Sequence, residues 1–318
     1  MAPMCESSEC NGRVSTRGDR YTRPIRYGVE PMRIGAHVST AGGPLKAFER
    51  AAAVGAEAIQ LFISAPQQWK APAISAEVVA AFNDARQQAA VPVFFHGVYL
   101  INLASQDEAL APRSVDSLAS YLDFGARMGV EGTIFHVGSH LGRGMDEACV
   151  AQVSRLLKQV LDRSPAESKL ILECNAGQGG CIGGTFTELG LLIREAGGDP
   201  RLAVCIDTCH AFAMGYDIRT NEGCAAVMAE FERDIGLERL VAVHANDSKQ
   251  PLGGLRDRHE NIGDGHIGLD GFAAVMRHKA FAAVPFLLEV PGLSGAGPDI
   301  ENVMRLKAIR AGIGLPPA

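Results

Sequence analysis

The 318-residue chain reads as an α/β protein built as one (β/α)₈ barrel, on three observations. From Arg33 to Gly314, short apolar runs alternate with longer Ala- and Leu-rich stretches at helical spacing, the pattern of a parallel sheet wrapped by helices. Eight such units fit the ~250 residues that a barrel of this kind uses. No Gly-rich phosphate turn follows the first apolar run, which sets aside an open doubly wound sheet; Gly42–Gly43 precedes a helix without the full spacing.

In chain order, strand Arg33–Ser39 leads to helix Pro44–Val54, strand Ala56–Ser64 to helix Ala76–Ala90, and strand Val91–Gly97 to helix Arg113–Met128. Strand Gly132–Gly138 leads to helix Met145–Arg163, strand Lys169–Asn175 to helix Phe186–Glu195, and strand Leu202–Asp207 to helix Asn221–Asp234. Strand Leu240–Asp247 with helix Leu269–His278, then strand Pro285–Pro291 with helix Glu301–Ala311, complete the series. Residues 1–31 are polar and lack apolar periodicity, so they are expected to form a poorly ordered extension ahead of a barrel domain spanning 32–318.

Composition limits the function. Hydrophobic residues make up 47% and charged residues 21%, as in a globular enzyme and unlike a disordered chain. The formal charge of −6 opposes indiscriminate binding to polyanions, so any nucleic-acid contact must be local. The eight cysteines follow no disulfide framework and read as reduced thiols. No apolar stretch approaches the ~20 residues needed to cross a bilayer, and the expectation is a soluble, cytoplasmic protein.

Chemistry in this fold sits at the C-terminal ends of the strands. There the sequence places His37, His96, His136, Glu173, Asp207 followed by His210, His244 and Glu289, and the loop after the seventh strand adds Asp257 and His259. A lone histidine at a strand end is usually structural. Four carboxylates converging with several imidazoles would repel one another unless cations were bound. A His, Asp and Glu ligand mixture suits Zn²⁺ or Mn²⁺ in a catalytic cluster. Cys205-x₃-Cys209-His210 does not favour a thiolate site, because Cys205 lies deeper on its strand and packs as a small apolar residue; a Cys–His nucleophile ranks below a ligand role for His210.

GAHVSTAGG (Gly35–Gly43), FHGVYLINLAS (Phe95–Ser105) and FHVGSHLG (Phe135–Gly142) resemble segments of endonuclease IV, the metal-dependent apurinic/apyrimidinic DNA-repair nucleases. LECNAGQG (Leu172–Gly179), VCIDTCHAFAMGYD (Val204–Asp217), HANDSK (His244–Lys249), DRHENIGDGHIG (Asp257–Gly268) and LLEVPG (Leu287–Gly292) follow in the family's order. The resemblance implies a TIM barrel with three zinc ions, Mn²⁺ being an alternative at one. Its ligand sets are His96, His136 and Glu173; then Glu173, Asp207, His244 and Glu289; then His210, Asp257 and His259. His37 is a motif residue near the site and is not assigned as a ligand.

The activity so implied is hydrolysis 5′ to an abasic site in duplex DNA, leaving a 3′ hydroxyl, with removal of 3′ blocking groups as a second activity. Hydroxide generated on the metals is the nucleophile, with Glu173 and Glu289 as the catalytic carboxylates. A baseless nucleotide is cheaper to extrude than an intact one. Tyr99 and Leu100 are placed to wedge into the duplex, against the plainer reading of loop packing. The family pattern Gln-Arg-x-Trp is replaced by Pro66-Gln67-Gln68-Trp69, so Gln67 offers a hydrogen bond where a charge is usual, and Lys70 could compensate. Cys174-Asn175 and Val290-Pro291 also replace commoner neighbours of the two Glu ligands. Lys249, Arg256 and Arg258 are candidates for phosphate contacts, while His140, His266 and His278 read as structural or solvated. The expected partner is damaged duplex DNA, met by a monomer. The rival readings are a metal-dependent barrel sugar isomerase or epimerase, and a non-catalytic binder of damaged DNA.

Overall fold

The structure, a computed structural model, describes residues 31–69 and 74–318. Nearly all of the expected extension, and Lys70, lie outside the described residues.

Eight parallel strands close a barrel: β1 (Ile34–His37), β2 (Ile59–Leu61), β3 (Val93–His96), β4 (Gly132–Phe135), β5 (Leu170–Glu173), β6 (Leu202–Asp207), β7 (Leu240–His244) and β10 (Phe286–Leu288). Neighbours follow chain order and β10 returns to β1, pairing Ile34 with Phe286. Two further strands, β8 (Asp247–Ser248) and β9 (His259–Glu260), form a small antiparallel hairpin over the mouth. The surrounding helices are α1 (Lys46–Val54), α2 (Ala76–Ala89), α3 (Leu110–Met128), α4 (Glu147–Asp162), α5 (Phe186–Glu195), α6 (Thr208–Met214), α7 (Asn221–Asp234), α8 (Gly268–Arg277) and α9 (Ile300–Gly312). No described helix is long and apolar enough to cross a membrane.

All eight expected strands are present, each within its expected span and most of them shorter. Three features depart from expectation. Helix α3 starts at Leu110 rather than Arg113, because Pro112 falls in the first turn, where its missing N–H would have had no intrahelical partner. Helix α6 and the β8–β9 hairpin were not anticipated. Helix α6 carries local signals, an Asp207 N-cap whose carboxylate accepts from His210 N and a Gly215 C-cap at φ 102°.

Apolar side chains fill two layers. The larger lies between strands and helices and includes Leu170 and Leu172 of β5. The smaller fills the barrel interior with Ala58, Phe94, Ile134, Ile171, Ala203, Cys205, Ala242 and Leu287. On β1 that place is taken by Gly35, where a Cβ would lie 2.5 Å from the Ala58 carbonyl oxygen. Side chains alternate across a strand, so the residue two positions further on faces inward again, one level nearer the mouth. The result is a ring of polar groups above an apolar plug.

At the opposite end, α9 locks the barrel shut. The buried Arg310 guanidinium reaches Glu57 Oε2 at 2.7 Å and Oε1 at 3.0 Å, and also donates to Met32 O at 2.7 Å. Lys307 reaches Glu57 Oε1 at 2.9 Å, and Ile34 N donates to Glu57 Oε2. Burial pushes the Glu57 carboxyl up, but its bonds from Arg310, Ile34 and Lys307 bring it below its ordinary 4.5. Glu57→Gln leaves Arg310 without its counter-charge and is expected to cost about 3 kcal/mol at pH 7. The folded value is the depressed one, so this stabilisation is complete above the ordinary carboxyl value and is lost as pH falls through the folded value. Urea unfolding midpoints of the two proteins should therefore converge below about pH 4; a gap that stays constant between pH 7 and pH 3 would count against the ion pair.

Candidate metal centre

The inward positions one level above the plug are His37, Gln60, His96, His136, Glu173, Asp207, His244 and Glu289, one from each barrel strand or the residue just past it. Strand register sets their neighbours: Asp207 pairs with His244 and His37 with Gln60. The hairpin loop then lowers Asp257 and His259 over the ring, and the first turn of α6 adds His210.

The nine residues named as ligands assemble into three groups, each with its donor atoms within 4.8 Å of one another: His96, His136 and Glu173; Glu173, Asp207, His244 and Glu289; and His210, Asp257 and His259. Glu173 joins the first two. Its Oε2 lies 3.1 Å from His96 Nε2 and 2.9 Å from His136 Nε2, while Oε1 lies 3.1 Å from His244 Nδ1. Asp257 is 3.2 Å from His210 Nε2 and 3.1 Å from His259 Nε2 through its two oxygens. Asp207 Oδ2 stands between the second and third groups, 3.8 Å from His244 Nδ1 and 3.5 Å from His259 Nε2.

The residues fit a set of divalent ions on a specific observation. Glu173 Oε1, His210 Nε2, His244 Nδ1 and His259 Nε2 are buried atoms without a hydrogen-bond partner. Buried polar atoms are nearly always partnered. The far side of each ring shows why these nitrogens are free. His210 Nδ1 lies 2.9 Å from Cys174 O, His244 Nε2 2.7 Å from Gln60 Oε1 and His259 Nδ1 3.3 Å from Glu289 O. Each of those oxygens can only accept, so the facing nitrogen carries a hydrogen, and once the ring is neutral the inward nitrogen is the one that offers a lone pair. Asp207 is held in the same way, its Oδ1 by His210 N and its Oδ2 by Asn246 Nδ2 at 2.7 Å. A further grouping of Asp207, Cys209 and His259 shares two of its members with the N/O sets.

Electrostatics agrees. Burial pushes Glu173 and Glu289 up, but the surrounding imidazoles hold both well below the usual carboxylate range. Burial pushes His259 down, and Asp207 and Asp257 more than offset this, lifting it to about 9. His210 and His244 are raised too, burial again being outweighed by nearby acidic groups, Asp207 foremost for His210. Ionised carboxylates here attract cations, whether protons or metals.

The remaining expected residues fall as follows. Tyr99 is 57% exposed at the mouth, its ring 5.3 Å from Phe62, 5.8 Å from His96 and 6.0 Å from His136. Leu100 is half-buried against the larger core, in line with loop packing. Gln67 is exposed, and Tyr99 N donates to Pro66 O at 3.0 Å, tying the two loops together. Arg256 and Arg258 are exposed, and Lys249 lies 3.9 Å from Glu260 across the hairpin. His140 accepts from Gly142 N and Gly144 N and so shapes its own loop. Cys205 lies in the interior plug. Sequence reasoning passed over two buried amides, Gln60 and Asn246; strand parity marks Gln60, since it is the inward residue of β2 at ligand level.

Below about pH 9 the His259 ring carries a proton that a metal must displace. Zinc loading at pH 7 is expected to expel protons, fewer as pH rises through 9. Calorimetric titrations in two buffers of different ionisation enthalpy measure this; equal heats in both would contradict it.

A family model described as xylose isomerase-like TIM barrel matches residues 48–310. The chain is 40% identical over 272 residues to a probable endonuclease 4 of Aquifex aeolicus, covering 85% of this chain and 96% of that protein. It is 39% identical to a probable endonuclease 4 of Chlorobium limicola, covering 86% and 95%. The crystal structure of endonuclease IV from Thermus thermophilus superposes with TM-score 0.75 at 35% identity, over 88% of this chain and 98% of that one. A D-tagatose 3-epimerase-like protein, at TM-score 0.65 and 18% identity over 89% and 97%, shares the fold. On these likenesses the chain belongs to the endonuclease IV family within the xylose isomerase-like TIM barrels.

Proposed function

We propose that the protein is a cytoplasmic, monomeric DNA-repair endonuclease that hydrolyses the phosphodiester 5′ to an abasic site in duplex DNA, leaving a 3′ hydroxyl, and that it also clears 3′ phosphate and phosphodiester ends. The observation that carries this reading is the three neighbouring groups of donor residues, with Glu173 Oε1, His210 Nε2, His244 Nδ1 and His259 Nε2 buried among them without a hydrogen-bond partner. Zinc is the metal the donors suit, with Mn²⁺ as the alternative in one group. Bound there, the ions supply Lewis acidity toward a phosphodiester and a hydroxide nucleophile at neutral pH.

The chain's own residues supply placement. Glu173, fully buried, presents one oxygen to each of two groups and keeps them in register. Glu289, ionised and at the edge of the ring, orients or deprotonates the attacking water. Tyr99 forms the exposed rim above His96 and His136, where an extruded abasic nucleotide would enter, and Leu100 backs it from the core. Gln67, Arg256 and Arg258 lie exposed on mouth loops that would meet the backbone.

A sugar epimerase is the second reading, because that fold is shared. The His210, Asp257 and His259 group favours the nuclease: a phosphodiester under attack gains negative charge, and these residues would hold a further cation suited to it.

The deciding measurement is cleavage of a duplex carrying one abasic-site analogue. Incision on the 5′ side should disappear on prolonged chelation and return with zinc; metallated protein that leaves the duplex intact while turning over a ketose would reverse the assignment. Glu289→Gln is expected to lower kcat by about 10²–10⁴-fold with its metals in place, and full turnover would remove its role as base. Gln67→Arg should tighten duplex binding and steepen the log–log salt dependence by about 0.9, one phosphate's worth, in fluorescence-anisotropy titrations; an unchanged slope would show that this loop does not touch the backbone.

A further inference from the structure

Six barrel strands deliver ligands at the mouth, whereas β1 and β2 deliver His37 and Gln60. Gln60 is fully buried, and its side chain touches three members of the ring. Its Nε2 lies 2.5 Å from Glu289 Oε1 and 2.9 Å from His37 Nδ1, and its Oε1 lies 2.7 Å from His244 Nε2.

The chemistry of these groups fixes the direction of each bond. An ionised carboxylate only accepts, so the NH₂ end of the amide must face Glu289. That turns the amide oxygen, also an acceptor, toward His244, which must then carry its hydrogen on Nε2. The opposite nitrogen, Nδ1, is left as a lone pair, 3.1 Å from Glu173 Oε1 and 3.4 Å from Glu289 Oε2. Those groups belong to one ligand set, and Nδ1 has no hydrogen-bond partner. A single neutral side chain thus sets the tautomer of one ligand and the position of another.

We propose that Gln60 is a positioning residue that selects the metal-binding tautomer of His244 and holds Glu289, preorganising the group formed by Glu173, Asp207, His244 and Glu289 for its cation. The inference rests on the three-ion reading of the centre. A polar core residue satisfied for stability alone would make the same contacts, but its loss would affect the whole fold evenly. Loss of a positioning residue should loosen one ion and spare the others, since partners behind a ligand typically govern 10–100-fold in metal affinity.

The test is the zinc content of purified Gln60→Met and of the wild-type chain after dialysis against a graded series of chelator strengths, with melting temperatures of the metal-free proteins alongside. Methionine keeps the length of the side chain and removes the amide. At a chelator strength where the wild type keeps three ions, Gln60→Met should keep two, with the third bound about 10–100-fold more weakly and a metal-free melting temperature close to wild type. On abasic duplex the deficit should fall on kcat rather than KM and be restored by excess zinc. Gln60→Asn keeps the amide but is a methylene too short to span both partners, so it should show the same selective loss and decides the matter should the methionine variant not fold. Retention of all three ions by the variants overturns the inference, as does an even loss of all three with a lowered metal-free melting temperature. A wild-type chain that takes up no zinc fails earlier and overturns the reading of the centre itself.

Discussion

Everything at the barrel mouth follows from bringing four carboxylates together, three of them largely shut off from water. Glu173 and Asp207 are fully buried, Glu289 is 14% exposed, and Asp257 closes over them from the hairpin loop. Like charges at such separations in a low-dielectric site repel by several kcal/mol unless cations intervene. Five imidazoles offer either protons or lone pairs, and the contacts behind His210, His244 and His259 leave the inward nitrogen of each as the donor to a cation once the ring is neutral. The protein therefore concentrates carboxylates at one end of an otherwise apolar barrel, balanced by the imidazoles around them, and metal ions are the partners that its donor atoms fit.

The rest of the fold divides the labour between the two ends of the strands. The apolar plug keeps water from below, and its small members, Gly35, Ala58, Ala203 and Ala242, let the strands close. At the bottom, α9 directs Arg310 and Lys307 onto Glu57 in a resident ion-pair cluster. At the top, charges are arranged for ligands. Stability at the N-terminal ends and chemistry at the C-terminal ends is the usual partition of this fold, and here it appears as two acidic sites, one compensated by resident Arg and Lys, the other by His and whatever cations arrive.

Much of this was legible in the sequence because the barrel repeats a simple rule. An inward apolar residue followed two positions later by an inward polar one appears as Phe94 then His96, Ile134 then His136, Ile171 then Glu173, and Leu287 then Glu289. Where the polar member is His, Asp or Glu it announces itself. Where it is a neutral amide, as with Ala58 then Gln60, residue type is silent and only parity speaks. Asn246 was harder still, since it lies past the end of β7, and its value comes from reaching sideways to Asp207 and Glu289. Helix α6 escaped notice because seven residues are too few to show a periodicity, although its caps were written in Asp207 and Gly215.

The elements that periodicity missed are those that separate this barrel from the general fold. The third candidate group comes from His210 on α6 and from Asp257 and His259 at the hairpin, none of them on a barrel strand proper. Such loops need their own scaffold. Asp247 provides one: fully buried, it accepts from the backbone N–H of Ser248, Gly263, Gly265, Ile267 and Gly268, so that one carboxylate gathers both sides of the loop that follows β9. A Cβ at Gly265 would sit 2.5 Å from Asp247 Oδ1, which explains the glycine there. The same hairpin pairs Ser248 with His259, so the register that orders the loop also brings that imidazole to the mouth. The alternation of strands and helices specifies a barrel that sugar epimerase-like proteins share; two short elements, each fixed by an aspartate rather than by an apolar face, add the group suited to a phosphodiester.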